Sequence, residues 1–374
     1  MDPEGMNVLH VVGARPNFMK AAPVIEALKA HDGIRQVLVH TGQHFDAKMS
    51  DIFFAQLGMP QPDHFLGISG GSHARMTSRI MVEVERVLLD EKPDLLMVYG
   101  DVNSTVAAAL VAAKMGIRIA HVEAGLRSGD RSMPEELNRL VTDQLADLLL
   151  TPSRDAGENL LREGIATGKI HFVGNVMIDS LMRCLPHARK PQDLVIPEEF
   201  ALVTLHRPAN VDDTEKLAAL MRAVRDLSDT VPVIFPIHPR TRKQLEESGT
   251  AGRAPSGAIQ LVDPLGYLEF LWCLQNAALV LTDSGGIQEE TTYLRVPCFT
   301  ARDNTERPIT IEQGTNLLVG ADAGLLKEKL EMQVAWCRKE CDTPLPEKWD
   351  GHTAQRIAAV VAAELQTKGG TSQT

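Results

Sequence analysis

The sequence predicts an α/β protein made of two Rossmann-like, doubly wound domains in tandem that face a cleft. Three observations carry this prediction. Short β-branched or apolar runs alternate with helical periodicity through both halves, the pattern of a parallel sheet covered by helices on both faces. At 374 residues the chain is long for a single core. A proline- and charge-rich stretch, Pro186 to Pro197, interrupts the alternation shortly after a Gly174-Asn175 turn. The expected domains are therefore 1–174 and 175–351, with a C-terminal helix over 352–366 returning to complete the first.

In the first half, Asn7 to Val12 reads as a strand, Gly13 to Asn17 as a turn and Phe18 to Lys29 as a helix. Pro16 suits the first turn of that helix. Arg15 then falls where the carboxyl end of a strand opens to a ligand, and Lys20 follows within the helix. Both residue types are also ordinary surface charges at such a place.

Arg35 to His40 is the next strand, ending in Thr41-Gly42-Gln43-His44, and Asp46 to Leu57 has a helical pattern. Gly67 to Ser72 leads into a long helix ending near Glu91. Pro93 to Tyr99 is a buried strand followed by Gly100-Asp101 and an alanine-rich helix to Met115. Asp101 there either caps the helix or does chemistry. Ile117 to His121 is again a strand, and Glu123 is a third charged residue just beyond a strand's carboxyl end. Met133 to Arg139 opens a helix with Pro134 as punctuation. Glu135 lies in its first turn, where a carboxylate complements the helix dipole. Strand Leu148–Leu150, helix Ser153–Glu163 and strand Ile170–Val173 complete the first domain.

In the second half, strand Phe200–Leu205 ends in His206-Arg207-Pro208, and strand Val231–Pro236 ends in Ile237-His238. Ile259 to Leu261 follows, and Pro264 to Tyr267 opens a helix. Ala277 to Thr282 is a buried strand, and Asp283-Ser284-Gly285-Gly286 sits at its turn into a helix reaching Arg295. At such a turn, backbone N–H groups without intrahelical partners point outward, and glycines let an anion approach them. Ser284 is expected to cap the helix through its hydroxyl. Glu290, four residues past Gly286 on one helical face, is expected to reach a ribose diol. The plainer reading is a tight turn with a cap. Cys298–Thr300 and Asn316–Val319 supply further strands, Asp322–Trp336 a further helix, and Thr367 to Thr374 reads as a disordered tail.

Composition narrows the function classes. Hydrophobic residues make up 44% and charged residues 23%, as in a globular protein, and the net charge of −11 argues against a nucleic-acid or anionic-membrane partner. No apolar run approaches the ~20 residues of a membrane span, and the acidic start is unlike a signal peptide, so a cytoplasmic location is expected. The five cysteines are scattered and odd in number. They read as reduced structural thiols, and Cys337 and Cys341 lack a set of metal-ligand companions. No metal site and no cofactor are expected.

In an open parallel sheet, ligands bind beyond the carboxyl ends of the strands. A cleft between the domains would be lined by Arg15, Lys20, Asp101, Glu123 and Glu135 from the first. The second would offer His206, Arg207, His238, Ser284, Gly285, Gly286 and Glu290. Carboxylates gather on one side and anion-binding groups on the other. That asymmetry fits a substrate with a diphosphate handle and a reacting part handled by acid/base groups.

The segments GARPNFMK, HTGQHFD, GDVNST, HVEAGLRSGD, MPEELNR, TLHRPAN and DSGGIQEE run in order from position 13 to position 290. Together they resemble the non-hydrolysing UDP-N-acetylglucosamine 2-epimerases, whose two-domain architecture is shared with GT-B glycosyltransferases. The resemblance implies that Arg15, His206, Ser284, Gly285 and Gly286 hold the diphosphate of a UDP-sugar, with Glu290 on the ribose. It implies that Lys20, Asp101, Glu123, Glu135 and Arg139 line the sugar side, the carboxylates being acid/base candidates. The reaction implied removes the C2 proton, expels UDP from C1 to leave a glucal, and adds UDP back after reprotonation on the opposite face. A homodimer is implied as well.

Two segments depart from many members of that family. Pro208 stands where others carry a further polar residue. Gly67 to His73 lacks an arginine that in others helps bind a second, activating UDP-sugar, although Gln43 and His44 remain. The segments TGQHFDAKMSDIFF and SGGSHARMT also look like a relative acting on a UDP-diacetamido-glucuronic acid, so the substituents at C3 and C6 stay open. The rival readings are a GT-B glycosyltransferase, a nucleotide-sugar-binding protein without catalysis, and a hydrolysing epimerase.

Overall fold

The computed structural model describes residues 6–43, 57–247, 258–320 and 344–369. His44, Cys337, Cys341, the helix expected from Asp46 (Leu57 apart), the helix expected over 322–336 and the chain beyond 369 lie outside them. The chain divides into two compact units, residues 1–183 with 347–374, and residues 184–346.

The first unit runs β1 (Met6–Val12), α1 (Arg15–Leu28), β2 (Ile34–His40), β3 (His64–Phe65), α2 (His73–Glu91), β4 (Leu95–Tyr99), α3 (Asn103–Lys114), β5 (Arg118–Val122), α4 (Pro134–Leu145), β6 (Leu148–Thr151), α5 (Arg154–Arg162), β7 (Ile170–Phe172) and α6 (Val176–Cys184). Its strands form one parallel sheet in the order β3-β2-β1-β4-β5-β6-β7. The order reverses between β1 and β4, and such a switch point leaves a crevice at the strands' carboxyl ends.

Strand β4 is buried along its whole length, as expected of a strand covered on both faces. Leu9, Leu96, Val98, Ile119 and Leu149 of the sheet pack with Ile80, Val84, Val87 and Leu88 of α2. Helix α3 packs against both α2 and α4. Its Ala107, Ala108, Ala109 and Ala112 are fully buried, and small side chains allow that close approach.

Helix α1 begins at Arg15, earlier than the Phe18 expected, because Asn17 organises the turn. Its Oδ1 accepts from the backbone N–H of Gly13 and Ala14, each at 3.1 Å, and its Nδ2 donates to the Tyr99 carbonyl at 2.7 Å. The start of α1 is thereby tied to the end of β4.

Helix α6 belongs with this unit. Asp179 accepts from the N–H of Ala354 at 2.7 Å and of Thr353 at 3.3 Å, capping the closing helix Thr353–Gly369. Burial pushes the Asp179 carboxyl up, against those hydrogen bonds. Ser180 donates to the Met19 carbonyl of α1.

The second unit runs β8 (Ala201–Thr204), α7 (Pro208–Val211), α8 (Thr214–Ser228), β9 (Val233–Pro236), α9 (Pro239–Glu247), β10 (Ile259–Val262), α10 (Tyr267–Asn276), β11 (Leu279–Thr282), α11 (Gly285–Leu294), β12 (Cys298–Thr300), α12 (Ile309–Glu312) and β13 (Asn316–Leu318). Its parallel sheet has the order β10-β9-β8-β11-β12-β13, with the switch between β8 and β11. Thr204 and Thr282 are partners in that register, and their hydroxyls meet at 2.7 Å. Val203, Phe235, Leu281 and Phe299 centre the core. Each unit is thus a doubly wound α/β sheet.

Among the described residues, no helix is long and apolar enough to cross a membrane. Cys184, Cys273 and Cys298 are buried, and burial pushes the Cys273 and Cys298 thiols up to about 12.

Candidate functional site

In the first unit the charged residues gather at the carboxyl ends of β1, β4 and β5, on the switch point. Arg15 opens α1 and is half-buried. Lys20, one turn further on, is buried and ion-paired with buried Glu123 just past β5. Glu123 has φ +71°, a left-handed conformation that side chains larger than glycine rarely adopt. Its N–H donates to the Leu150 carbonyl at 3.1 Å, holding it there. Backbone strain of this kind is kept where surrounding contacts over-determine it, commonly at functional sites.

Gly100 forms the wall of this pair. Its φ is +61°, and a Cβ there would lie 2.7 Å from Lys20 Nζ and 3.2 Å from Glu123 Oε2. Glycine is required for both conformation and space.

Asp101 does not cap α3, whose N-cap is Val102. Its Oδ2 accepts instead from Arg139 Nη2 at 2.6 Å and Nε at 3.0 Å. Arg139 is 2% exposed and reaches Glu136 Oε2 through Nη1 at 2.7 Å. Glu136 also accepts from the N–H groups of Ser128 and Gly129, each at 2.9 Å. Asn138 donates to the Asp101 carbonyl at 2.8 Å. Glu135, half-buried beside Glu136, lies in the first turn of α4. The acid/base side therefore holds two groups of paired charge, Lys20–Glu123 and Asp101–Arg139–Glu136, each built on a buried cation.

In the second unit, His206 and the Asp283-Ser284-Gly285-Gly286 turn lie at the carboxyl ends of adjacent β8 and β11. His206 Nδ1 lies 3.0 Å from Asp283 Oδ1. Asp283 is fully buried and also accepts from the backbone N–H of His206 and Arg207 and from Asn210 Nδ2. Burial works to raise its carboxyl, but the hydrogen bond and charge of His206 and the two amides outweigh it and hold it below the usual range. His238, at the end of β9, has its ring 6.0 Å from that of His206. Burial, His206 and Arg240 lower the pKa of His238.

Ser284 is the N-cap residue of α11, but its side chain makes no capping hydrogen bond, contrary to expectation. Its N–H is instead taken by Thr282 Oγ1 at 3.0 Å. Gly285 is required for space: a Cβ would lie 2.5 Å from Arg307 Nη1 and 2.8 Å from Glu306 Oε1. Gly286 follows in the first turn of α11. Beside the turn, buried Glu306 pairs with Arg302 at 2.7 Å and with Arg307, which also pairs with Glu289 at 2.7 Å. Glu290 is buried and accepts from Tyr267 Oη at 2.9 Å.

Of the site residues expected from the sequence, Asp101, Glu123, His206, His238 and Ser284 follow the carboxyl ends of strands, whereas Lys20, Glu135, Arg139 and Glu290 stand on the helices beyond them. Asn17, Glu136, Tyr267 and the Arg302–Glu306–Arg307 cluster are not among the residues expected from the sequence, where Asp283 stands only as the first letter of a motif. Tyr267 stands 23 residues from Glu290 and carries no local signal.

The chain is similar to known proteins over most of its length. A family model described as UDP-N-acetylglucosamine 2-epimerase matches residues 26–362. The chain is 47% identical to the UDP-2,3-diacetamido-2,3-dideoxy-D-glucuronate 2-epimerase of Pseudomonas aeruginosa, covering 86% of this chain and 91% of that one. It is 45% identical to the UDP-N-acetylglucosamine 2-epimerase of Methanocaldococcus jannaschii, covering 87% and 90%. A crystal structure of UDP-GlcNAc 2-epimerase from M. jannaschii, in complex with UDP-GlcNAc and UDP, matches with a TM-score of 0.89 at 41% identity, covering 96% of this chain and 100% of that one.

Proposed function

Since the chain belongs to the UDP-N-acetylglucosamine 2-epimerase family, we propose that it inverts C2 of a UDP-2-acetamido sugar, converting UDP-GlcNAc to UDP-ManNAc. The observation that carries this reading is the presence of Asp101 and Glu123 at the ends of adjacent β4 and β5, each carboxylate bound to one buried cation. Inversion at C2 needs one group to take a proton from one face of the sugar and one to return a proton to the other.

The proton at C2 is removed by one carboxylate of the first unit. The C2–H electron pair becomes the C1–C2 double bond, and the C1–O electrons leave with UDP, giving a glucal. Protonation of C2 on the opposite face and attack of the UDP oxygen at C1 complete the inversion. The leaving diphosphate carries growing negative charge, so preorganised donors aimed at it lower the barrier. Arg15 supplies a cation for that purpose, His206 and His238 supply imidazole groups, and the turn at Ser284, Gly285 and Gly286 supplies a hydroxyl and the N–H groups of a helix start. Glu290, oriented by Tyr267, takes the ribose. Lys20 and Arg139 hold the carboxylates in place, and Glu135 is the third acid/base candidate.

The enzyme acts as a cytoplasmic homodimer in this reading. The free, buried Cys273 and Cys298 are in keeping with a reducing compartment, and the family resemblance supports the dimer.

Proton NMR of the enzyme with UDP-GlcNAc in deuterated water tests the proposal. The expected result is deuterium at C2 together with the manno epimer and no free sugar. Product formed with an unlabelled C2 would sink the elimination mechanism. A second reading, 2-epimerisation of UDP-2,3-diacetamido-2,3-dideoxy-glucuronic acid, is favoured by the 47% identity to the P. aeruginosa enzyme. It is tested by the same experiment on that sugar.

A further inference from the structure

His121 lies on β5, two residues before the strained Glu123, and is fully buried. Its Nδ1 is 2.6 Å from Asp143 Oδ1, and its Nε2 is 2.8 Å from the Gly100 carbonyl oxygen. A carbonyl oxygen only accepts, so Nε2 carries a proton. The remaining question is which partner of the Nδ1–Asp143 contact holds the second one.

The other oxygen of Asp143 answers it. Oδ2 lies 2.7 Å from Arg127 Nη1 and accepts from the Gly125 N–H at 3.1 Å. An Asp143 carboxylate facing a guanidinium, an amide N–H and an imidazole is stabilised in its ionised form. Arg127 in turn makes a two-pronged pair with Glu163, at 2.7 and 2.6 Å. The charges that face one another here are His121 from β5, Asp143 from α4, Arg127 from the loop after Glu123 and Glu163 at the end of α5. They balance when His121 is a cation. We infer that His121 is held as an imidazolium, with both ring N–H groups engaged, and that the Asp143–His121 pair is the positioning device for the two candidate acid/base carboxylates.

The geometry explains how one pair serves both. Asp143 fixes the chain on either side of Glu123: through His121 two residues before it, and through the Gly125 N–H two residues after it. His121 fixes the carbonyl of Gly100, whose own N–H donates to the Val122 carbonyl at 3.0 Å. Gly100 is the residue before Asp101 and the wall of the Lys20–Glu123 pair. With both nitrogens committed, His121 has no lone pair for the substrate and is not a general base. It acts through Gly100 and Glu123.

This inference rests on the proposed epimerase reading for its kinetic arm only. Enzyme labelled with ¹⁵N in its histidine rings is examined by NMR at neutral pH, with the His121→Asn variant identifying the His121 signals among the 12 histidines. The expected result is a proton on each of the two ring nitrogens. A single protonated nitrogen in the wild type overturns the inference. In Asp143→Asn, His121 is expected to lose one ring proton at neutral pH. The variant's kcat is expected to fall by about 10- to 100-fold, the usual effect of removing an orienting partner, while KM changes little. An Asp143→Asn variant with unchanged kcat, or with KM carrying the whole loss, overturns the positioning role. Wild-type enzyme with a doubly protonated His121 and no turnover of either UDP-sugar would instead count against the proposed function.

Discussion

Arg139 Nη2 lies 2.6 Å from Asp101 Oδ2, and the same guanidinium reaches Glu136 at 2.7 Å. A buried cation is thus shared between a structural carboxylate, Glu136, and one that stays partly exposed, Asp101, whose side chain is 23% accessible. Asp101→Asn keeps the shape and removes the charge. It is expected to lower kcat by about 10²- to 10⁴-fold, the range for loss of a general acid or base. Calorimetric affinity for UDP alone is expected to be unchanged. Undiminished turnover would mean that Asp101 only anchors Arg139.

The Lys20–Glu123 pair is buried on both sides, with 5% and 4% side-chain exposure. Breaking such a pair from one side leaves an uncompensated charge, so Lys20→Met is expected to cost about 3–5 kcal/mol in urea unfolding. The double variant Lys20→Met/Glu123→Leu is expected to recover most of that stability while remaining inactive. A single variant as stable as the wild type would show that solvent reaches Glu123 freely.

Space rather than backbone conformation makes Gly285 necessary. The added methyl in Gly285→Ala would displace Arg307 and Glu306 from the turn, with an expected cost of about 1–3 kcal/mol for overpacking. A rise of at least about tenfold in the Kd for UDP is expected with it, since donors at a helix start act only when an anion comes close. Wild-type UDP affinity in this variant would place the diphosphate elsewhere.

Stability should fall in acid through Asp283 and Asp143, and the sign follows from their shifts. Both are held below the usual carboxylate range, Asp143 because His121 and Arg127 outweigh its burial. The unfolded chain therefore binds protons more readily than the native one. Their contribution is fully present above the unfolded value, about 3.9, and is lost as pH falls through the depressed native values. Asp179, pushed up by burial, acts oppositely, favouring the fold below its unfolded value and losing that as pH rises. Urea unfolding between pH 7 and pH 3 is expected to show an acid loss that is smaller in Asp283→Asn. An identical pH profile in that variant would contradict the assignment.

Much of this molecule was legible in its sequence. Strands in a parallel sheet are buried on both faces, so they read as apolar runs, and their carboxyl ends are marked by glycine and charge. Strand Cys298–Thr300 coincides with its expectation, and the helix over 285–294 with its expectation to within a residue at its C-terminus. The two-residue β3 left no such trace, being too short to show a period. Helix α1 started early because Asn17 bonds to residues of the turn before it and to Tyr99, 82 residues away.

What the sequence determined was the family, the fold class and the residue types at the strand ends, because these depend on local pattern and ordered motifs. What only the tertiary structure decided was which charge meets which. Asp101 reads equally as a cap, and it is the fold that turns it to Arg139, 38 residues on. Glu136 rather than Glu135 took the Ser128 and Gly129 amides, and Tyr267 rather than a neighbour on α11 met Glu290. A buried charge must find a partner wherever the packed chain supplies one. That partner is set by strand order and register, which no local stretch of sequence contains.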